Sequence, residues 1–347
     1  MDTSGRRHRG FLTGDDMARW RATIEAPVTY DYHGHTVAKC GPWSQGPFFL
    51  QQLSLLKEFG IAGMDPLGPE FVHTVVECAK LAFADREAWY GDPAFAQVPL
   101  DHLLSDDYAT GRRALVGDRA SLELQPGSPG GHRPRLPQLV ARRAATGGAA
   151  VPGVGEPTAA RLGVGEPTVA RDSDRRATAG DTCHVDVIDR WGNMIAATPS
   201  GGWLQSSPVV PELGFGLTTR GQMFWLEPGL PGSLAPGKRP RTTLSPSFVL
   251  KGGEPYMAFG TPGCDQQDQW QMIFFLRHVH HGMNLQEAID APSFHTEHMP
   301  SSFWPREAKP GVVVLEGGTS PATVAGLKAR GHDVQLGEDW SEGRLAP

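Results

Sequence analysis

The chain contains no run of eighteen apolar residues, so no membrane-spanning helix is expected. It has only four cysteines, Cys40, Cys78, Cys183 and Cys264, and no two of them stand in a C-x-x-C pair. That spacing supports neither a disulfide framework nor a zinc knuckle and points to reduced thiols. Basic residues are not in excess: the formal net charge is −6, which gives no electrostatic footprint for nucleic acid. The first ten residues carry Arg6, Arg7 and Arg9 but no apolar core behind them. A signal peptide is therefore not expected, and the chain reads as cytoplasmic. Residues 126–180 hold no Phe, Trp or Tyr; Gly, Pro, Ala, Arg and Thr dominate, and residues 154–161 recur imperfectly at 164–171. Two short copies fall below what a stacked repeat needs. With little to bury, residues 126–181 are expected to be a flexible linker.

What is present suits a globular protein: 347 residues with 39% apolar and 20% charged, enough for one large or two ordinary cores. Directly after the linker the texture changes. Cys183, Val185 and Val187 alternate with Thr182, His184 and Asp186, the period-2 pattern of a strand with one buried side. Residues 189–193 read as a turn and 194–198 as the returning strand, which brings Thr198 and Ser200 back beside Thr182. A Thr opening a strand behind a linker is what an N-terminal nucleophile needs. Cleavage before it gives one residue both a hydroxyl and a free α-amine, and the amine can act as the hydroxyl's base. The same pattern also fits a β-branched residue that merely opens a strand.

Elsewhere, helices are expected over 15–20, 48–59 and 69–89, forming one outer helical layer. Paired strands are expected over 247–250 and 256–259, then helices over 265–281 and 284–291. Gly260-Thr261-Pro262-Gly263-Cys264 reads as a Gly-rich loop between a strand and a helix N-terminus, a place that favours negative charge. No Lys-Ser/Thr follows, so it is not a phosphate loop. His278, His280, His281, His295 and His298 invite a zinc reading. Their spacing matches neither HExxH nor HxxEH, and histidine at a helix C-terminus also complements the dipole. No metal and no cofactor is expected. Cys183 and His184, as strand neighbours, point to opposite faces and cannot form a thiol dyad.

Thr182-Cys183-His184, Gly192-Asn193, Gly221-Gln222-Met223, the stretch Lys238-Arg239-Pro240-Arg241-Thr242-Thr243-Leu244-Ser245-Pro246, Gly260-Thr261-Pro262-Gly263-Cys264 and Ala291-Pro292-Ser293-Phe294-His295 occur in one order. Upstream stand Gly10-Phe11-Leu12-Thr13, Gln45-Gly46-Pro47, Ala82-Phe83-Ala84-Asp85-Arg86 and Gly91-Asp92-Pro93. In these motifs the chain resembles the γ-glutamyltransferase (γ-glutamyltranspeptidase) family over nearly its whole length. The resemblance implies an α+β fold, the four-layer αββα sandwich of N-terminal-nucleophile (Ntn) hydrolases, here incomplete. It implies self-cleavage between Asp181 and Thr182, with residues 1–125 as the later part of a large subunit and 182–347 as a small subunit. The two pieces would pair as a heterodimer.

The resemblance further implies Thr182 as nucleophile, Thr198 and Ser200 as the groups that hold its amine and hydroxyl, and the backbone N–H groups of Gly263 and Cys264 as the oxyanion hole. Many relatives have a second Gly where this chain has Cys264, whose Cβ disfavours positive φ. Gln222, Thr242 and Thr243 match substrate-binding positions, the two threonines replacing a Ser pair that binds the donor's α-carboxylate. The family's Asp for the donor's α-amino group corresponds to Trp225, and an Asn that helps to recognise the glutamyl group corresponds to Gly202. The implied substrates are a γ-glutamyl or related small amide with water or an amino acid as acceptor, and the two changes favour donors without that amine. Family proenzymes also have a substantial region before Gly10, including an Arg for the substrate carboxylate, and continue past Trp340-Ser341-Glu342-Gly343-Arg344 to a final strand. The chain is therefore expected to be truncated, a fragment, or one piece of a split protein.

Overall fold

The computed structural model describes residues 12–145, 182–201, 209–303 and 306–342. Gly10, Phe11, the duplicated segment, Asp181, Gly202, Gly343 and Arg344 lie outside the described residues. The order is α1 (Gly14–Arg19), β1 (Val28–Tyr32), β2 (His35–Lys39), α2 (Gly46–Leu56), α3 (Pro69–Trp89), α4 (Leu100–Leu103), α5 (Asp106–Arg113) and α6 (Gln138–Ala145). After residue 181 come β3 (Val185–Ile188), β4 (Met194–Ala197), β5 (Val209–Val210), β6 (Phe215–Gly216), β7 (Ser247–Lys251) and β8 (Glu254–Phe259). The chain continues through α7 (Gln267–His281), α8 (Leu285–Asp290), β9 (Phe294–Thr296), β10 (Val312–Leu315), α9 (Pro321–Ala329) and β11 (Asp333–Leu336). The fold is mixed α+β.

The main sheet is antiparallel throughout, in the order β1-β2-β7-β8. Both of its hairpins use two-residue turns with positive φ at each position, 46° and 79° at His33 and Gly34 and 62° and 84° at Gly252 and Gly253. Such turns match the right-handed twist of the strands. The expected strand pair matches β7 and β8, whereas β1 and β2 stand in a segment expected to hold helices alone. The alternation in Val28-Thr29-Tyr30-Asp31-Tyr32 was the available signal.

One face of this sheet aligns Val37, Val249 and Met257, then Lys39, Ser247 and Phe259, all buried. Against it pack α2 and α7, the latter through Asp268, Gln271, Phe274 and Phe275, and α3 lies across α2. All eleven residues of α2 are buried, so it is an inner layer and not part of the expected outer one. A helix apolar all round belongs inside, and the polar exceptions have partners: Gln51 donates to Asp85 at 2.5 Å and Gln52 to the Val75 carbonyl at 3.2 Å. Lys39, fully buried, is held by Asp268 at 2.8 Å and Ser247 at 2.6 Å. A smaller sheet, β11-β10-β9, closes the far side of α3, with α9 as the crossover between parallel β10 and β11.

Two expectations fail here. The linker does not begin at residue 126. Gly127 donates to Asp85 at 2.6 Å, Arg135 to the Gly229 carbonyl at 2.9 Å, and α6 buries Val140 and Arg143. Backbone groups, guanidinium and one valine anchor a segment without aromatics, which composition alone did not reveal. The β3–β4 hairpin is also inverted relative to its hydrophobic pattern. Val185, Val187 and Ile195 are about half exposed, at 48%, 52% and 60%, while the side chains of His184 and Asp186 turn inward at 1% and 5%.

Candidate active site

The hairpin register sets the site. Val185 pairs with Ala197, which places His184 opposite Thr198 and Thr182 opposite Ser200. The backbone N–H of Cys183 donates to the Pro199 carbonyl at 3.2 Å, extending the ladder to the residue after Thr182. Thr182 Oγ1 donates to Ser200 Oγ at 3.0 Å. On the same Ser200 oxygen converges Arg220, Nη2 at 3.0 Å, whose Nη1 also reaches Thr243 Oγ1 at 3.5 Å. A buried guanidinium thus joins the Thr182–Ser200 pair to the Thr242-Thr243 segment, which is itself buried and fixed by Thr242 N donating to the Trp43 carbonyl at 2.8 Å. Arg220 escaped the sequence analysis although it directly precedes the Gly221-Gln222-Met223 motif. Gln222 lies in the same 3-10 turn, Arg220–Met223, and its carbonyl accepts from Arg306 at 3.3 Å.

The Gly-rich loop follows β8 as expected and leads through a 3-10 turn, Cys264–Gln266, into α7. Gly263 has φ 125°, and a Cβ there would come within 2.2 Å of the Trp270 ring. Only glycine fits. Cys264 adopts φ 53° despite its Cβ, a conformation costing on the order of 1–3 kcal/mol that the surroundings must impose. Gln45 Nε2 holds the Cys264 carbonyl at 3.1 Å, and Gln266 N closes on the Gly263 carbonyl at 2.9 Å. At Gly260 an added Cβ would sit 2.2 Å from the His184 ring. The loop and the hairpin therefore meet at that imidazole.

Behind the loop lies an ionic cluster. Arg86 donates to Asp265 at 2.7 Å and to Gln45 Oε1 at 2.7 Å, while Ser302 N reaches Asp265 Oδ2 at 2.8 Å. Burial raises the Asp265 pKa, but Arg86 and the Ser302 hydrogen bonds outweigh it and hold the carboxyl below its usual range. Arg306 stacks over Trp225, 4.3 Å from the ring centroid.

The five histidines of the zinc reading do not converge. His278 meets Tyr256, His280 meets Tyr32, His295 meets Glu342, and His298 accepts from Gly311 N and contacts the Glu123 carbonyl. His73, Glu77 and His332 do cluster. His73 and His332 hydrogen-bond each other at 2.8 Å, and Glu77 is engaged by Lys80 at 2.6 Å and Ser121 N at 3.1 Å. The ammonium would repel a cation, so the trio reads as a buried polar network, in which His332 Nδ1 has no hydrogen-bond partner among the described residues.

These histidines make stability depend on pH. Burial, reinforced by the Lys80 charge, pushes His332 down to about 3 and His298 to about 4. Folded values below the unfolded value of about 6.5 mean that the unfolded chain binds more protons in between, so this stability is intact above pH 6.5 and lost on acidification. His295 works in the opposite sense. Glu342 and Glu297 overcome its burial and raise it to about 9, so its contribution is full below pH 6.5 and fades towards 9. The urea midpoint at about pH 5 is expected below that at pH 7, and His332→Gln should flatten the difference.

Comparison with known proteins bears on this geometry. The family model "Gamma-glutamyltranspeptidase" matches residues 1–346. The solved structure of LmbA2991T421A superposes with a TM-score of 0.84 at 56% identity, covering 99% of this chain and 55% of that one. The cephalosporin acylase from Bacillus halodurans does so with a TM-score of 0.74 at 27% identity, covering 97% and 51%. A glutathione hydrolase proenzyme of Bacillus subtilis subsp. natto is 28% identical over 338 residues, 94% of this chain and 52% of its own length. The chain spans about half the length of the curated relatives it matches. A family model that fits it almost end to end, and a site holding Thr182 beside Ser200 and the Gly263 loop, lead to one statement: the chain belongs to the γ-glutamyltranspeptidase family.

Proposed function

We propose that the chain is the catalytic part of an Ntn amidohydrolase or acyltransferase that cuts itself between Asp181 and Thr182 and then uses Thr182 as nucleophile. The observation that carries this is the convergence of Thr182, Ser200, Arg220 and Thr243 at the mouth of the β3–β4 hairpin. Thr182 Oγ attacks the amide carbon, the freed α-amine takes its proton and returns it to the leaving amine, and water or an amine resolves the ester. Thr198 and Ser200 orient the amine and hydroxyl. The N–H groups of Gly263 and Cys264 meet the oxyanion, a contribution worth ~10²–10³ in rate per donor, and Thr242 and Thr243 bind the donor's carboxylate. Residues 1–181 and 182–347 are the two subunits, and the stretch that joins the folded part of the first to Thr182 begins after the docked helix α6. The outward apolar face of the hairpin and the half-exposed Phe248 and Leu250 on the free face of the main sheet suit a four-layer αββα sandwich completed by the part of the relatives that this chain does not match. Intact mass tests the reading: pieces of 181 and 166 residues support it, and a single uncut species refutes it.

Trp225 offers no carboxylate to a donor's α-ammonium and lies under the Arg306 guanidinium, which favours a donor that lacks that amine. Glutaryl-anilide and γ-glutamyl-anilide differ only in that amine. A kcat/KM at least about tenfold higher for the glutaryl compound is expected, since burying an unpaired charge costs well over ~1.4 kcal/mol. A preference for the γ-glutamyl compound would refute this assignment.

A further inference from the structure

We propose that Asp186 and His184 are positioning residues that act through Thr198 on the nitrogen of Thr182. The proposal rests on the role of Thr182 given above. Thr182, His184 and Asp186 share one face of β3 with Thr198 and Ser200 of the returning strand, and Thr198 lies diagonally from Thr182. His184 Nε2 stands 2.8 Å from Asp186 Oδ2, and His184 Nδ1 stands 2.7 Å from Thr198 Oγ1. Both side chains are inward, at 1% and 5% exposure, and the imidazole fills the space left by the missing Cβ of Gly260. This hydroxyl–imidazole–carboxylate line explains why the hairpin buries its polar face and leaves its valines outside.

The chemistry follows from what each group can donate. An ionised carboxylate only accepts, so Asp186 places the imidazole proton on Nε2 and leaves a lone pair on Nδ1. That lone pair accepts the hydrogen bond from the Thr198 hydroxyl. Thr198 Oγ1 then has only lone pairs to offer to the nitrogen of Thr182. In the self-cleavage step the Thr182 Oγ–carbonyl bond forms, the Asp181–Thr182 C–N bond breaks, and the hydroxyl proton ends on the nitrogen. Water next splits the ester, giving the Asp181 carboxylate and restoring the Thr182 hydroxyl. The nitrogen passes from one hydrogen to two, and Thr198 accepts from it, which leaves the amine lone pair aimed at the nucleophile's own hydroxyl. Among groups on the elements packed against the hairpin, Glu254 and Tyr256 sit at the opposite end of β8, Cys264 lies in the loop, and Arg220 reaches Ser200. Asp186 is the carboxylate in contact with the imidazole.

The test follows the self-cleavage rate by intact mass, in the 347-residue chain and five variants. Asp186→Asn is expected to slow cleavage by about 10²-fold. Asp186→Glu, which keeps a carboxylate for the imidazole, should recover part of that rate. In a Thr198→Val background Asp186→Asn should add nothing, which separates the relay from a general loss of folding. An unchanged rate in Asp186→Asn, no recovery in Asp186→Glu, or full additivity with Thr198→Val, overturns the relay while the role of Thr182 stands. An uncut parent chain, or cutting that persists in Thr182→Ala, overturns both.

Discussion

Thr182→Ala is expected to leave every molecule at 347 residues under conditions in which the parent chain separates into 181 and 166. Alanine removes the oxygen proposed to attack the Asp181 carbonyl, and the neighbouring hydroxyls are already engaged. Ser200 Oγ is already engaged by Arg220 at 3.0 Å, and Thr198 Oγ1 by His184 at 2.7 Å. The effect on folding should be small. Thr182 is half-buried at the strand's opening, where losing one hydroxyl and its hydrogen bond costs about 1 kcal/mol or less. Loss of cutting with an unchanged melting point therefore separates chemistry from stability. Thr182→Ser keeps the oxygen and should still cut. Cutting of the alanine variant at the parent rate would mean that a protease acts on the segment before Thr182.

The hairpin was legible because its signals are local: alternation on the first strand, with Gly192 at φ 85° in the turn that follows. The helix over 69–89 was legible to the residue, since Pro69 starts it and Gly91 with Pro93 ends the pattern. Which face of the hairpin turns inward was not. Val185 and Val187 look like core residues, and only the partners of His184 and Asp186 reveal that the polar face is the anchored one. Segment 126–145 misled for the converse reason: it docks through backbone and arginine contacts to Asp85, Gly229 and Glu227, none near in sequence. Arg220 was invisible because its role is to bridge Ser200 and Thr243, twenty or more positions away on either side. Cys264 shows the limit of a propensity rule, since tertiary contacts from Gln45 hold it in a conformation its Cβ opposes.

Arg86→Met is expected to lower the melting temperature by roughly 6–20 °C, from a loss of about 3–5 kcal/mol at ~2–4 °C per kcal/mol. Arg86 is 1% exposed and Asp265 4%, so removing the guanidinium strands a carboxylate where water cannot reach it. The Ser302 contacts remain but carry no compensating positive charge, and Arg241, the nearest candidate, already serves Glu87 at 3.1 Å and Ser302 at 3.1 Å. The carboxyl then titrates upward, since burial, opposed until now by Arg86, becomes dominant. The sign follows: a carboxyl held low in the fold stabilises above its unfolded value and loses that contribution as pH falls, so the parent chain gains from Asp265 at neutral pH and the variant does not. The damage also travels to the site. Arg86 holds Gln45, and Gln45 holds the Cys264 carbonyl in its positive-φ conformation. Freed from that clamp, the loop loses the geometry of its two candidate oxyanion donors, and self-cleavage should fall even at temperatures where the variant is folded. Thermal melts and intact mass on the same preparation check both effects. A variant that melts as the parent does and cuts at the parent rate would show that the cluster does not support the loop.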